Sequence, residues 1–284
     1  MPILGQELLK ELPARRVDSR KGQNGTVAVI GGSRVYHGAP ALSGMAAYRT
    51  GIDLVYLFVP EPLTAPIRSI SPSFIVYPTP DYKLTIGCAN KILAWMPKID
   101  ACVIGPGSGR QKPDGMKKLV AELSSNKVKI VVDADALQPE VVNGLSGREI
   151  VLTPHPGEFK RLFGVELESN IEQRKEAVKK AAKSLGVTII VKGYLDIISD
   201  GERVAVDETG SPAMTVGGVG DVLSGIVAAL LAKGLEAFKA AVAGAYINGR
   251  CGQMTAEKYG LRILPTDLIA EISNLLKKYD KVVK

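Results

Sequence analysis

The sequence predicts an α/β fold in which a central, mainly parallel β-sheet is flanked by helices on both faces. Short runs rich in β-branched residues alternate with segments rich in helix formers along the whole chain, an order typical of parallel sheets with crossover helices. Several of these runs are almost entirely apolar, as in strands that are buried on both faces. The predicted strands are Thr26–Ile30, Leu54–Val59, Ala101–Ile104, Val128–Val132, Glu149–Leu152 and Val187–Val191.

Two segments carry clear helix patterns. Ile171–Leu185 is rich in helix formers and is followed by Gly186, a common residue at helix ends. In Val222–Lys233 the apolar residues recur on one wide face, and Gly234 follows. Because no linker and no internal repeat interrupts the chain, we expect a single domain over residues 1–284.

The composition is that of a globular protein and excludes several classes. The 284 residues are 46% apolar and 23% charged, which provides for a core and argues against disordered, collagen-like and coiled-coil proteins. The apolar runs fall short of the roughly 20 residues that span a bilayer. The first residues also lack the pattern of a secretory signal. We therefore expect a cytoplasmic protein without a membrane partner.

The net charge and the cysteine content limit the classes of partner and of structural cross-link that we expect. The net charge of +7 favours anionic partners, but the basic residues are spread along the chain and do not alternate with aromatic ones. Nucleic acid is therefore not predicted, whereas anionic small molecules remain open. Cys88, Cys102 and Cys251 are widely spaced, which suits reduced structural thiols better than disulfides or a zinc site.

The loops after the predicted strands are the candidates for function. In an open parallel sheet ligands bind beyond the carboxyl ends of the strands, so these loops should line one crevice. They contain Gly31-Gly32-Ser33, Gly105–Gly109, Asp133-Ala134-Asp135, Thr153–Glu158 and Lys192-Gly193. The spacing within Gly105–Gly109 is not the dinucleotide fingerprint, and the chain lacks a P-loop signature.

A glycine-rich segment, Gly217-Gly218-Val219-Gly220-Asp221, directly precedes the strongest helix pattern. Glycines allow close approach of the backbone to a ligand, and the free N–H groups and dipole of a helix N-terminus attract phosphate. Asp221 beside such an anion site suits a general base that takes a proton from a hydroxyl attacking a phosphoryl group. The alternative is that Asp221 simply caps the helix.

Four further groups are candidates for ligand or metal binding. His155 stands between two prolines, which restrict the backbone and would hold the imidazole and Glu158 in fixed directions, for substrate binding or for a capped turn. Lys192 could place an ammonium near phosphates, with Asp196 close by, or could be a solvated lysine. His37 could equally be a surface residue. Asp133 and Asp135 would face the same side of a continued strand and are candidate magnesium ligands, or turn caps; the metal ligands stay undetermined.

With these residues assembled, the chain resembles the ATP- or ADP-dependent NAD(P)H-hydrate dehydratase family of the ribokinase-like superfamily. The resemblance covers nearly the whole chain, and its segments occur in the family's order. These segments are KGQNGTVAVIGGS, HGAPALSGMAAYRTGIDLV, CVIGPGSG, VVDADAL, LTPHPGEFKRL, VKGYLDIISDG and PAMTVGGVGDVLSGIVAALLAKG. The fold it implies, a ribokinase-like sheet flanked by helices, agrees with the pattern of strands and helices.

The resemblance implies repair of hydrated NADH and NADPH, with ADP or ATP as co-substrate and Mg²⁺ as cofactor. A nucleotide phosphate would activate the hydroxyl on the damaged ring, and elimination would restore the double bond. Asp221 resembles the base and also a contact to the hydrate, while the amides of Gly218 to Gly220 resemble the hole for the transferred phosphate. The other contacts carried over are Ala39, Gly107 and His155 to the hydrated dinucleotide, and Lys192, Gly193, Tyr194, Leu195, Asp196 and Gly220 to the adenine nucleotide.

Two departures from the family pattern bear on these expectations. Val219 stands where relatives often have threonine, so backbone amides alone would have to hold the phosphate. Many relatives carry an upstream epimerase domain, whereas residues 1–284 are filled by the dehydratase resemblance. The other hydrate epimer would then need a separate epimerase or spontaneous epimerisation. The resemblance further suggests a homo-oligomer, with a tetramer favoured.

Two other functions remain open from the sequence. A ribokinase-like kinase for a vitamin precursor would share the glycine loop and Asp221, and a non-catalytic nucleotide sensor could keep the site without turnover. The His155 loop and Gly105–Gly109 favour a dinucleotide substrate over the kinase alternative. The choice between ADP and ATP, and between the two hydrates, is not determined by the sequence.

Overall fold

The computed structural model describes residues 4–145 and 149–284; residues 1–3, at the start of the predicted domain, and residues 146–148 lie outside the described part. The strands are β1 Arg15–Arg16, β2 Thr26–Ile30, β3 Leu54–Pro60, β4 Ile75–Thr79, β5 Ala101–Ile104, β6 Lys129–Val132, β7 Ile150–Leu152, β8 Thr188–Val191, β9 Asp196–Ser199, β10 Val204–Asp207 and β11 Val282–Val283. The α-helices are α1 Leu4–Leu8, α2 Gly38–Arg49, α3 Thr64–Ile70, α4 Ile86–Trp95, α5 Asp114–Ser125, α6 Pro139–Val142, α7 Pro156–Phe163, α8 Ile171–Leu185, α9 Val219–Ala232, α10 Ala237–Tyr259 and α11 Pro265–Leu276.

The main sheet has the order β10-β9-β8-β7-β6-β5-β2-β3-β4. Neighbouring strands from β4 to β8 are parallel, and β9 and β10 are antiparallel additions at one edge. A separate small sheet pairs β1 with β11. The predicted mainly parallel sheet is confirmed, and all six predicted strands are present with ends that differ by one residue at most.

The two faces of the sheet carry separate cores, as strands without polar alternation require. One core lies under α2, α9, α10 and α11, and the other under α4, α5 and α8. Cys88, Cys102 and Cys251 are buried free thiols, as predicted. Among the described residues no helix has both the length and the apolar character needed to cross a membrane.

Helices α2 and α9 cross at very close range, and this contact places the N-terminal end of α9. A Cβ at Gly225 would lie 2.1 Å from the carbonyl oxygen of Ser43, so only glycine permits this approach. Ser43 Oγ also donates to the carbonyl oxygen of Asp221 at 2.9 Å. The first turn of α9 is therefore anchored to α2 beside the sheet.

The sequence prediction was wrong or incomplete at several places. Strand β4, the antiparallel pair β9 and β10, and the small sheet of β1 and β11 were not predicted. The predicted helix Val222–Lys233 begins three residues earlier, because Val219, Gly220 and Asp221 form its first turn. The strand before Asp133 does not continue, since a 3₁₀ turn follows over Ala134–Ala136 and Ala134 has a φ of 50°.

Candidate active site

The loops after the parallel strands are tied to one another at the carboxyl edge of the sheet. The amide of Gly105 donates to the carbonyl of Ile30 at 3.1 Å, and the amide of Asp133 donates to Ile104 at 3.1 Å. The next loop continues the series, because the amide of Thr153 donates to Val132 at 3.2 Å. Each loop therefore starts against the end of the neighbouring strand, and the predicted convergence of the loops is confirmed.

The N-terminus of α9 faces this edge without a side-chain cap. Gly218 is the N-cap residue, with a φ of 102° that glycine adopts without strain, and no side chain among the described residues caps this end. Asp221 is the third residue of the helix, so the alternative that it serves as the N-cap is wrong. The N–H groups of the first turn are thus available to an anion.

A buried ion pair lies directly beside this helix end. Lys192 Nζ donates to Asp133 Oδ1 at 3.0 Å, and Thr153 Oγ1 donates to the same oxygen at 2.7 Å. The side chain of Asp133 is 2% exposed and that of Lys192 is 20% exposed. A Cβ at Gly220 would lie 3.3 Å from Lys192 Nζ, so the ammonium touches the first turn of α9. The solvated-lysine alternative is therefore wrong.

The pKa of Asp221 is raised well above that of an ordinary aspartate. Burial raises it, the neighbouring Asp133 raises it further, Lys192 lowers it and Asp135 raises it, with a result of about 7. Burial alone would lower the pKa of Lys192, but Asp133, Glu158 and Asp221 together hold it above its ordinary value. Asp221 is therefore a carboxylate whose pKa suits proton transfer near neutral pH.

The loop Gly105–Gly109 packs tightly against its neighbours and meets the start of α2. Gly107 has a φ of 63°, and a Cβ there would lie 2.8 Å from the carbonyl oxygen of Tyr36 and 2.9 Å from the Cβ of Ala39. Two residues predicted to contact the same substrate, Ala39 and Gly107, are thus in contact. Ser108 Oγ is buried and has no hydrogen-bond partner among the described residues. His37 lies just before α2 in an exposed position.

His155 is both a helix cap and an exposed group at the crevice. Its Nδ1 accepts hydrogen bonds from the amides of Gly157 at 3.0 Å and Glu158 at 3.3 Å, and Glu158 Oε2 accepts from the His155 amide at 2.8 Å. The capped-turn alternative is confirmed, and the imidazole is held in a fixed direction. More than half of the His155 side chain is exposed, and its Nε2 lies 3.6 Å from Glu158 Oε1, so a substrate could contact the exposed part of the ring beside Glu158.

The segment Lys192–Asp196 forms the tight turn between β8 and β9. Asp196 Oδ1 accepts a hydrogen bond from the amide of Gly193 at 2.9 Å, while Tyr194 between them is 91% exposed. Burial raises the pKa of Asp196 to about 7, the Gly193 amide opposes the rise, and Asp207 on the adjacent strand adds to it. The hydrogen bond between Gly193 and Asp196 therefore fixes the turn, and the ring of Tyr194 points into solvent.

Asp133 and Asp135 do not form a metal cage by themselves. One oxygen of Asp133 is held by Lys192 and Thr153, and Asp135 Oδ2 accepts the amide of Gly109 at 2.8 Å. Among residues 4–145 and 149–284, no group of three histidine, cysteine or acidic side chains could hold a metal ion. The two carboxylates suit an ion such as Mg²⁺ that is bound mainly through water and substrate phosphates.

Sequence reasoning missed several contacts of the site. Glu158 was expected to be held in a fixed direction by the prolines that flank His155, but its buried position near Lys192 follows only from the fold. Thr153 was named only as part of its loop, although it completes the bonds to Asp133. Arg174 on α8 reaches Gly193 across the chain, with its Nε buried and without a partner in the part of the chain that the structure describes. No local pattern marks these contacts, because they join distant segments.

Comparison with known proteins gives a consistent result. The family model for NAD(P)H-hydrate dehydratase matches residues 27–274. The ADP-dependent (S)-NAD(P)H-hydrate dehydratase of Nitrosopumilus maritimus is 46% identical over 275 residues, which cover 96% of each chain. The structure of the ADP/ATP-dependent NAD(P)H-hydrate dehydratase of Bacillus subtilis, co-crystallised with ATP and Mg²⁺, is 25% identical and covers 97% of both chains with a TM-score of 0.84.

A further solved structure bears on the fold alone. A ribokinase-like superfamily protein of Enterococcus faecalis is 24% identical, with a TM-score of 0.77 and coverage of 97% of this chain and 95% of that chain. The ribokinase-like architecture that the sequence predicts is thereby confirmed.

Proposed function

The chain belongs to the NAD(P)H-hydrate dehydratase family, and from this premise we propose that it dehydrates hydrated NADH and NADPH at the expense of ADP. The observation that supports this most directly is the position of Asp221. Its carboxylate has a pKa of about 7 and lies in the first turn of a helix whose N-terminus is uncapped. A proton acceptor and a phosphate site thus adjoin one another, as phosphoryl transfer to a hydroxyl requires.

The reaction has two stages at this site. In the first stage Asp221 takes the proton of the hydrate hydroxyl, and the hydroxyl oxygen attacks the terminal phosphorus of ADP. The bond between this phosphorus and the bridging oxygen breaks, and AMP departs. The carbon–oxygen bond then breaks, phosphate leaves with the former hydroxyl oxygen, and loss of a proton from the adjacent carbon restores the double bond. The protein's main contribution is positioning and electrostatics, supplied by the amides of Gly218 to Gly220 and by Lys192.

The chain's own residues suit a phosphate-bound Mg²⁺ better than a resident metal. Asp133 and Asp135 each have one oxygen held by the protein, and both act electrostatically on Asp221. When bound with the nucleotide, Mg²⁺ would neutralise phosphate charge. Val219 is buried and takes no part in a side-chain cap, so its replacement of threonine leaves the backbone amides of the helix end in place.

In this proposal the two substrates meet at Asp221. Ala39, Gly107 and His155 contact the dinucleotide, and the turn Lys192–Asp196 with Gly220 contacts the nucleotide. The exposed ring of Tyr194 offers a flat apolar surface for the adenine base. A homo-tetramer and a separate epimerase stay predictions, which sedimentation and epimer-resolved assays would test.

The decisive experiment is direct turnover. Purified protein would be incubated with NADH hydrate or NADPH hydrate, Mg²⁺, and either ADP or ATP, and recovery of the reduced-nicotinamide absorbance recorded. We expect recovery with both hydrates and a higher kcat/KM with ADP. Stable phosphorylation of a vitamin-precursor alcohol without recovery would instead establish the kinase alternative. Nucleotide binding without any turnover would establish the sensor.

The pH dependence of this activity follows from Asp221. A base must be ionised to accept a proton, and its ionised fraction increases as the pH rises through a pKa of about 7. We therefore expect kcat/KM for the hydrate to rise about tenfold per pH unit below pH 7 and to level off above it. Rates measured from pH 5.5 to 9 with saturating ADP would check this; a profile that is flat between pH 6 and 8 would contradict it.

Two variants of His155 separate its role as a helix cap from its proposed contact with the substrate. Asparagine is also a good N-cap, so His155→Asn should retain the free energy of unfolding while raising the KM for the hydrate. His155→Ala should raise the KM similarly and also lower stability by about 1 kcal/mol through loss of the cap. Urea unfolding and steady-state kinetics on both variants would test this. An unchanged KM in His155→Asn would exclude contact of the imidazole with the substrate.

A further inference from the structure

A cavity of about 410 Å³ opens beside the candidate active site, next to Asp135. Two arginines line it, Arg110 after the Gly105–Gly109 loop and Arg161 in the last turn of α7. Its volume is within the range of small-molecule sites. Asp135 is shared between this cavity and the candidate site, because its Oδ2 accepts the amide of Gly109 and its charge raises the pKa of Asp221.

Both guanidinium groups are available to a ligand. Arg110 and Arg161 are exposed, and neither has a carboxylate oxygen within 4.0 Å in the described parts of the chain. Two acidic residues also line the cavity, but Asp135 Oδ2 is held by the amide of Gly109 at 2.8 Å, and Glu140 is exposed at the start of α6. The two free guanidinium groups favour an anion, because planar guanidinium binds phosphate oxygens in pairs.

The position of the two arginines indicates which anion. Arg110 follows Gly107 by three residues, and Arg161 follows His155 by six, a rise of roughly 9 Å along α7. Each arginine therefore follows, in the same loop or helix, a residue that contacts the hydrated dinucleotide under the proposed function. The phosphates of ADP lie elsewhere in that proposal, at the first turn of α9 and Lys192.

We propose that Arg110 and Arg161 bind the pyrophosphate of the hydrated dinucleotide, with the cavity between them as its subsite. This inference rests on the proposed function, because the pyrophosphate can lie in this cavity only if the hydrated ring of the same substrate lies at Asp221. The pyrophosphate is separated from that ring by one ribose, so its charges are distant from the hydroxyl that reacts. Binding there holds the substrate without taking part in the chemical step.

Substrates of different length test the assignment. Arg110→Gln, Arg161→Gln and the double variant would be compared with the parent protein on NADH hydrate, NADPH hydrate and the hydrate of reduced nicotinamide riboside, which has no phosphate. We expect the KM for both dinucleotide hydrates to rise about tenfold per arginine, with kcat and the KM for ADP nearly unchanged. The riboside hydrate should react with the same kcat/KM in all four proteins. Arg49→Gln, at the exposed C-terminal end of α2, is the matched control and should leave all constants unchanged.

Each other outcome overturns the assignment in a recognisable way. Unchanged KM values in the double variant exclude the subsite. A loss confined to NADPH hydrate places the arginines at the extra phosphate of that substrate, and a loss confined to ADP places them at the nucleotide. An equal loss on the riboside hydrate shows a structural effect. If the parent protein fails to dehydrate NADH hydrate at all, the proposed function fails first, and this is distinct from an active parent whose variants behave like it.

Discussion

Asp221→Asn is expected to lower kcat by about 10²–10⁴-fold, the range typical of a lost general base. Asparagine has nearly the shape of aspartate but cannot accept the hydroxyl proton. The Kd for ADP should stay close to that of the parent, because the amides of the first turn and Lys192 remain in place. Single-turnover kinetics with NADH hydrate and calorimetric titration with ADP would measure the two quantities. A variant as fast as the parent would exclude Asp221 as the base.

Stability provides a control for the same variant. Because burial raises the pKa of Asp221 to about 7, the folded state binds more protons than the unfolded state between about pH 4 and 7, and the parent loses stability across this window as the pH rises. An uncharged asparagine lacks this dependence. We therefore expect Asp221→Asn to be at least as stable as the parent at pH 8, with a smaller advantage at pH 5. A variant that is less stable at pH 8 would show that the loss of activity reflects a damaged fold.

The sequence was most informative where one segment carries its own physical constraint. Apolar runs without alternation can be buried only between two layers of helices, so the six strands predicted between Thr26 and Val191 were placed nearly to the residue, whereas the less apolar β4 was missed. Helix α8 ends as predicted because Gly186 adopts a φ of 63° there. The glycines before Asp221 likewise indicated a helix end open to an anion. In each case the deciding interaction lies within about ten residues along the chain.

The parts that sequence reasoning missed depend on distant segments. The strands Asp196–Ser199 and Val204–Asp207 form an antiparallel pair at the edge of a parallel sheet, and short runs after a lysine-glycine turn do not reveal their partner. The 3₁₀ turn that follows Asp133 packs against the distant Gly105, where a Cβ would lie 2.0 Å from the Asp133 carbonyl oxygen. The partner of Lys192 lies 59 residues away. Such contacts follow from topology and not from local pattern.

Lys192→Met is expected to reduce both stability and activity. Removal of the ammonium leaves Asp133 buried with only Thr153 as a partner, and loss of one member of a buried ion pair costs about 3–5 kcal/mol. Since the Lys192 side chain is 20% exposed, we expect about 3 kcal/mol. Activity should fall as well, because the ammonium lies against the first turn of α9, where the phosphate would bind. Urea unfolding and steady-state kinetics would measure both losses.

The pH profile of activity tests whether Lys192 and Asp133 act on Asp221, separately from their effect on stability. Lys192 lowers the pKa of Asp221 and Asp133 raises it. The midpoint of the kcat/KM profile should therefore move to higher pH in Lys192→Met and to lower pH in Asp133→Asn. In the double variant both charges are absent and no buried charge is left unpaired, so its loss of stability should be smaller than the sum of the two single losses. A general disturbance of the fold would lower rates in both single variants without moving the midpoints in opposite directions. Midpoints that stay at the parent value would show that Lys192 and Asp133 do not act on the base.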